Sequence, residues 1–264
     1  MAKVTLHTLL EMKRSGEKFT TLTAYDSTQA HLVSSQGVDV ILVGDSLGNV
    51  CQGHSSTVPV TVDDMCYHTR AVATHSGDSL LVSDLPFASY ANETQALTNA
   101  TRLMQAGAEV VKIEGEGWLV PIVKRLREQG IPTCVHLGLT PQAVHVLGGY
   151  RVQGREIERA TEMIEAAVAL EKAGAALLCL ECVPSALARE ISKLVSIPVI
   201  GIGAGADTDG QVLVIYDMLN MTPSYKPRFV KNFMAEASSV HEAVATYVRE
   251  VKDGTFPAIE HSFE

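Results

Sequence analysis

The sequence predicts a single-domain α/β protein with the architecture of a (β/α)₈ TIM barrel, and three observations predict it. Eight short apolar runs of strand type recur down the chain, most of them followed by a stretch of helical character. Most of these runs are apolar on both faces, as strands of a parallel sheet covered by helices must be. The length, 264 residues, matches the roughly 250 that such a barrel needs. Nearly every run also stops at a polar residue, and parallel α/β folds bind ligands at the carboxyl ends of their strands.

Taken in order, residues 5–18 carry Leu6, Leu9, Leu10 and Met12 among charges, which predicts a lead-in helix. Phe19 to Asp26 reads as the first strand, and a helix over about 27–36 follows, stopped at Gly37. Val40–Val43 is the second strand and ends in Gly44-Asp45-Ser46; Leu47 to Pro59 is a long loop without periodicity. Thr61-Val62-Asp63-Asp64 caps a helix that runs to about His75. The third strand, Leu80–Asp84, is stopped by Leu85-Pro86, and a helix over 93–106 ends at Gly107. Val110–Glu114 is the fourth strand, and the helix after it, about 118–129, ends at Gly130. The fifth strand, Pro132–His136, leads into a second long glycine-bearing loop, Gly138 to Gly154. A helix over 156–173, the sixth strand Ala176–Glu181, a helix over 184–195 and the seventh strand Pro198–Ile202 follow. Gly203-Ala204-Gly205 turns the chain, and Val212–Asp217 is the eighth strand. Between the seventh and eighth strands there is room for only about one helical turn after Asp207. Residues 224–252 are basic and then helical, and Phe256 to Glu264 is a tail. One domain over 1–264 is expected, with the lead-in helix before the barrel and a helical extension after it.

Composition narrows the function. Lys plus Arg is 21 against 30 for Asp plus Glu, a net charge of −9, which argues against a nucleic-acid binder. The start lacks the apolar core of a signal peptide, and no run approaches the roughly 18 apolar residues of a membrane span. Five scattered cysteines make a disulfide framework unexpected and favour a reducing cytoplasm. Cys179-Leu180-Glu181-Cys182 has redox spacing, but residues three apart on a strand point to opposite faces, so structural cysteines are expected. No second Cys or His pair stands at zinc-finger spacing.

The strand ends carry the chemistry. Side chains alternate along a strand, so Lys112 and Glu114 share a face, as do Val82 with Asp84 and Cys179 with Glu181. If those faces point inward, Asp45, Asp84, Lys112, Glu114, His136 and Glu181 meet near the carboxyl mouth of the barrel. Charges inside a barrel are expensive unless paired or metal-bound. Carboxylates without cysteine suit a hard oxygen-loving cation, Mg²⁺ first among them, with Asp45 and Asp84 as ligands and Glu114 helping directly or through water. Lys112 supplies fixed positive charge for a carboxylate or an oxyanion. Glu181 suits a general base with its pKa raised by burial, and His136 a hydrogen bond to a substrate oxygen. Plainer readings stand beside these: Asp45 and Asp84 as helix caps, Lys112 with Glu114 as a structural ion pair, His136 as a structural histidine. Gly201-Ile202-Gly203-Ala204-Gly205 reads equally as a phosphate cradle or as a tight turn.

Ordered motifs over essentially the whole chain bear a family likeness. They include Val43-Gly44-Asp45-Ser46-Leu47-Gly48, Gly53-His54 with Thr57-Val58-Pro59-Val60-Thr61, Ser83-Asp84-Leu85-Pro86-Phe87 and Val111-Lys112-Ile113-Glu114-Gly115. His136-Leu137-Gly138-Leu139-Thr140-Pro141-Gln142, Gly148-Gly149-Tyr150-Arg151-Val152-Gln153-Gly154 and Leu180-Glu181-Cys182-Val183-Pro184 follow. Gly201 to Gly205 with Asp209-Gly210-Gln211, and His261-Ser262-Phe263, complete the set. The sequence resembles the 3-methyl-2-oxobutanoate hydroxymethyltransferase (ketopantoate hydroxymethyltransferase) family. The resemblance implies a (β/α)₈ barrel, a cytoplasmic homo-oligomer (a decamer) and the first committed step of pantothenate synthesis. A one-carbon unit would pass from 5,10-methylenetetrahydrofolate to 3-methyl-2-oxobutanoate, giving 2-dehydropantoate. The resemblance also implies Mg²⁺ on Asp45 and Asp84 with Glu114 beside it, keto-acid contacts at Ser46, Lys112 and His136, and Glu181 as base. Asn49, Val135 and Arg151 depart from the family pattern, and none is a proposed ligand or base.

Two other readings compete. One is a Mg²⁺-dependent 2-oxo acid carbon–carbon lyase of the isocitrate lyase or phosphonopyruvate type. Such enzymes carry a cysteine in a flexible loop, for which Cys51 is the only candidate here. The other is a catalytically silent barrel used for assembly, which predicts damaged site positions; all the proposed ones hold competent residue types.

Overall fold

A computed structural model describes residues 2–223 and 226–264. The chain opens with α1 (Leu6–Ser15), whose N-cap Thr5 accepts the Thr8 N–H through its hydroxyl. Strands and helices then alternate: β1 (Phe19–Thr23), α2 (Ser27–Ser35), β2 (Val40–Val43), a single helical turn α3 (Leu47–Val50), α4 (Val62–Ala73), β3 (Leu80–Asp84), α5 (Glu93–Gln105) and β4 (Val110–Glu114). There follow α6 (Val120–Glu128), β5 (Thr133–Gly138), a turn α7 (Val144–Leu147), α8 (Ile157–Ala173), β6 (Leu177–Glu181), α9 (Ser185–Leu194), β7 (Val199–Ile202) and β8 (Gly210–Leu213). A turn α10 (Ile215–Met218) and the C-terminal α11 (Val240–Lys252) complete the order. The strands form a closed barrel in sequence order, β1 to β8, all pairs parallel, with β8 closing onto β1 from Phe19↔Gly210 to Leu22↔Leu213. Among the described residues no helix is long and apolar enough to cross a membrane.

The barrel is filled, not hollow. Thr21, Val40, Leu42, Val82, Lys112, Cys134, Cys179, Ile200 and Val212 converge on a residual space of only about 10 Å³, room for at most about one water. Lys112 belongs to this inner layer. Two residues further along the same strands stand Asp84, Glu114, His136 and Glu181, so strand alternation alone lifts them to the carboxyl mouth. At the opposite end Lys13 of α1 reaches the Ser192 carbonyl and Asp209 Oδ2, at 2.9 and 2.7 Å. The same Asp209 oxygen accepts the Val199 N–H at 2.8 Å, so the lead-in helix is tied to the amino end of the barrel.

Several boundaries differ from the sequence expectation, among them β5, which runs to Gly138, and the Leu47–Val50 turn inside an expected loop, and three differ most. The first strand ends at Thr23, because Asp26 is the N-cap of α2 and accepts the Gln29 N–H at 2.8 Å. The eighth strand is Gly210–Leu213; its pairing with β1 begins at Gly210, and past Leu213 the Ile215 N–H turns to Thr23 Oγ1 at 2.9 Å. The apolar residues Ile215 and Tyr216 therefore lie in a helical turn, and β7 and β8 are joined without a helix. Of the segment 224–252, residues 224–225 lie outside the described residues, and the helix begins only at Val240 behind its N-cap Ser239.

The C-terminal extension is tied into the sheet. Tyr247 of α11 is fully buried, its ring set edge-on to Phe233 and tilted against Phe256. Its hydroxyl lies 2.9 Å from the Thr21 carbonyl and 2.8 Å from the Gln211 carbonyl, spanning the β1–β8 seam. The hydroxyl has a single hydrogen to donate, so removing it takes one hydrogen bond from this pair of buried carbonyls. Tyr247→Phe should destabilise the fold by about 1–2 kcal/mol, measured by urea denaturation; a loss under about 0.5 kcal/mol would mean that the seam does not depend on this hydroxyl.

Candidate active site

Five neighbouring strands, β2 to β6, supply the mouth, one polar group after another. Asp45 follows β2 through Gly44, where a Cβ would stand 2.7 Å from Ser46 Oγ. The Asp45 N–H donates to Asp84 Oδ2 at 3.0 Å. Asp84 ends β3, and Lys112 Nζ rises beside it, 3.0 Å from Asp84 Oδ1 and 3.5 Å from Glu114 Oε1. The Lys112 contact to Asp84 Oδ1 lacks hydrogen-bond alignment, which leaves that buried oxygen without a hydrogen-bond partner. His136 Nδ1 lies 3.1 Å from Glu114 Oε1, and Nε2 lies 3.3 Å from Glu181 Oε2, again without a hydrogen bond. At the end of β5 a Cβ on Gly138 would stand 2.3 Å from the Glu181 carbonyl, so only glycine allows this approach of β5 to β6.

Burial and charge set the protonation states. Burial raises the Asp45 carboxyl well above its ordinary range, and Asp84 and Glu114 add to the rise. Asp84 is raised by burial too, with Lys112 pulling the other way. Burial also works against charge on Glu114, but Lys112 and His136 overcome it and hold that carboxyl below its usual value. For Lys112 burial again opposes the charged form; Asp84, Glu114 and Asp45 outweigh it and raise the ammonium well above its ordinary range. Glu114 and Glu181 likewise outweigh burial at His136 and push it up to about 9.

The expected residues come together, with two refinements. Both oxygens of Glu114 are engaged, Oε1 by His136 and Lys112 and Oε2 by the Gln142 N–H at 3.0 Å. Glu181 is less buried than the sequence suggested, with 15% of its side chain exposed against 3% for Asp84 and Glu114. Ser46 is half-buried and its hydroxyl bonds Tyr25 Oη at 2.8 Å.

Sequence reasoning missed Gln142 and Tyr90. Gln142 Nε2 donates to Asp45 Oδ2 at 2.8 Å, and Tyr90 Oη lies 2.6 Å from Gln142 Oε1. Gln142 sat within a quoted motif after the fifth strand, but nothing in its spacing shows where a loop amide aims. Cys51, the loop cysteine of the lyase reading, is exposed at the end of α3. Cys179 and Cys182 are both buried and unbridged. The glycine turn after β7 is no open cradle: a Cβ on Gly203 would meet the rings of Phe229 and Phe263 at 2.9 and 3.0 Å, so two aromatic side chains cover it.

A divalent cation fits this donor set. The oxygens are hard carboxylates, Asp84 Oδ1 is buried without a hydrogen bond, and burial leaves Asp45 and Asp84 short of positive charge. Among the described residues no three His, Cys, Asp or Glu side chains cage an ion by themselves. Mg²⁺ in general needs only one or two carboxylates and completes its shell with water and substrate.

Comparison with known proteins places the chain. The family model described as ketopantoate hydroxymethyltransferase matches residues 3–259. The 3-methyl-2-oxobutanoate hydroxymethyltransferase of Shewanella loihica is 56% identical over 263 residues, covering 100% of both chains. The protein of the same name from Marinobacter nauticus is 57% identical over 261 residues, covering 99% of each. Among solved structures, phosphonopyruvate hydrolase in complex with oxalate and Mg++ superposes with a TM-score of 0.61 at 13% identity, over 99% of this chain and 93% of that one. The phosphoenolpyruvate phosphomutase of Streptomyces platensis subsp. rosaceus gives 0.61 at 14%, over 80% and 81%. At such identities these two share the fold alone. The family model and the full-length relatives together show that the chain belongs to the ketopantoate hydroxymethyltransferase family.

Proposed function

We propose that this chain transfers a hydroxymethyl group from 5,10-methylenetetrahydrofolate to 3-methyl-2-oxobutanoate, giving 2-dehydropantoate, the first step of pantothenate biosynthesis. One observation carries the reading: the mouth holds a pinned, buried acid group (Asp45, Asp84, Glu114) and, across His136, one partly exposed carboxylate, Glu181. Asp45 and Asp84 would hold Mg²⁺, with Glu114 acting through water. When bound, that ion supplies Lewis-acid polarisation of the substrate's oxo group.

The chain's own groups do the rest. Glu181 takes the C3 proton of the keto acid, and the C–H electron pair becomes the enolate. Lys112 Nζ and the imidazolium of His136 meet the negative charge that develops on the substrate's oxygens, in a site where burial strengthens each interaction. Ser46 adds a hydroxyl to the keto-acid contacts. Water cleaves the C–N bonds of the folate's methylene bridge, which frees its carbon at the formaldehyde level with tetrahydrofolate as the leaving group. C3 forms the new C–C bond to that carbon, and the resulting alkoxide takes the proton held by Glu181 to give the hydroxymethyl group. Residues 1–264 act as one catalytic domain in this reading, in the cytoplasm and as a homo-oligomer.

The decisive measurement is proton NMR of 3-methyl-2-oxobutanoate in D₂O. The C3 proton should exchange in the presence of the protein and Mg²⁺ and stop exchanging with EDTA. Asp84→Asn, which keeps an acceptor for the Asp45 N–H, should slow exchange at least about tenfold. No exchange even with tetrahydrofolate added would remove the keto acid as substrate. Glu181→Gln should lower kcat by about 10²–10⁴-fold while keto-acid binding by calorimetry stays near wild type; near-normal turnover would remove Glu181 as base. Light scattering should give the mass of a decamer, and a monomer at assay concentration would remove that part of the reading.

A further inference from the structure

Gln142 is a buried loop residue, in the helical turn Pro141–Ala143 after β5. Its side-chain amide is fully committed. Tyr90 Oη donates to Oε1 at 2.6 Å, and Nε2 donates to Asp45 Oδ2 at 2.8 Å and to the Leu85 carbonyl at 3.0 Å. One acceptor and two donor hydrogens meet one donor and two acceptors. A flipped amide would press Oε1 against a carboxylate and a carbonyl, so the network permits a single orientation. The Tyr90 hydroxyl is itself fixed, accepting the Glu114 N–H at 3.1 Å. The Gln142 N–H holds the residue's backbone to Glu114 Oε2 at 3.0 Å.

The consequence falls on the two aspartates. Asp45 Oδ2 is spent on Gln142, and Asp84 Oδ2 is spent on the Asp45 N–H at 3.0 Å. Asp84 Oδ1 has no hydrogen bond, and none reaches Asp45 Oδ1 among the described residues. Asp45 therefore keeps one oxygen for a ligand, with the other held by a protein donor, whereas the Asp84 oxygen left without a hydrogen bond faces Lys112 Nζ at 3.0 Å. Ca²⁺ takes six to eight oxygens and readily uses both oxygens of a carboxylate, whereas Mg²⁺ takes six at shorter range in a strict octahedron. We propose that Gln142 is a positioning residue that limits Asp45 to a single free oxygen, so that the Asp45–Asp84 pair selects a small octahedral cation over Ca²⁺. This rests on the reading that these two aspartates hold the cation.

The test is calorimetric titration of Mg²⁺ and of Ca²⁺ into the full-length protein with 3-methyl-2-oxobutanoate present, for the wild type, Gln142→Ala and Tyr90→Phe. In Gln142→Ala the Mg²⁺ affinity should fall by about 10–100-fold while Ca²⁺ loses less, so the preference for Mg²⁺ drops about tenfold. Tyr90→Phe keeps the buried ring and its stack on Trp118. It frees the amide to turn, and the preference should shift the same way by a smaller factor. Should Gln142→Ala fail to fold, Tyr90→Phe decides alone. Equal losses for both cations, or an unchanged preference, would overturn the role of Gln142 while leaving the aspartates as ligands. A wild type that binds neither cation would overturn both.

Discussion

The mouth of this barrel depends on one buried ammonium. Lys112 is almost wholly enclosed, with Asp84 Oδ1 at 3.0 Å and Glu114 Oε1 at 3.5 Å. A charge in that position is tolerated only with partners, and removing one partner from such a pair typically costs about 3–5 kcal/mol. The barrel supplies the partners by register and needs no loop for it. Lys112 is paired with Asp84 across β3–β4, and Glu114 with His136 across β4–β5. Lys112 and Glu114 share a face because they are two apart on one strand. The ionic layer is thus part of the sheet, fixed by the same hydrogen bonds that close the barrel.

Charge balance then explains the division of labour. Asp45, Asp84 and Glu114 are buried together against Lys112 and a protonated His136, with Glu181 just beyond. Glu114 takes the largest share of the cationic help and stays ionised, whereas burial raises Asp45 and Asp84. A divalent cation at those two aspartates would supply the missing positive charge. Glu181 is separated from this cluster by the imidazole and is more exposed than Asp84 or Glu114.

Much of this was legible from the sequence, for two physical reasons. Apolar runs of four to six residues between helical segments give the strands, and the period of two along each run says which polar residues share a face. Asp84, Lys112, Glu114, His136 and Glu181 all lie on strands and were found that way. Asp45 and Ser46 were found because they directly follow a strand. The failures are residues whose direction is set by tertiary contacts. The end of β8 depends on its register with Phe19–Leu22 and on the Ile215 N–H finding Thr23; an apolar run cannot show that. Gln142 and Tyr90 reach the site from loops, and a loop amide carries no periodicity to betray its aim. The covering of Gly203 by Phe229 and Phe263 joins residues 26 and more positions apart, which local pattern does not register.

The barrel end is also divided into two halves of different character. Strands β2 to β6 deliver the ionic groups, while β7, β8 and β1 end in Ile202, Leu213 and Thr23, and the Thr23 hydroxyl is occupied by the Ile215 N–H. Above that second half the glycine turn is roofed by Phe229 and Phe263, with the Phe263 carbonyl accepting the Ser185 N–H at 2.9 Å to hold the tail in place. A branched 2-oxo acid has the same polarity: two oxygen-bearing carbons at one end and an apolar isopropyl group at the other. The two arcs of one barrel mouth thus differ in polarity, and a single buried lysine holds the ionic arc together.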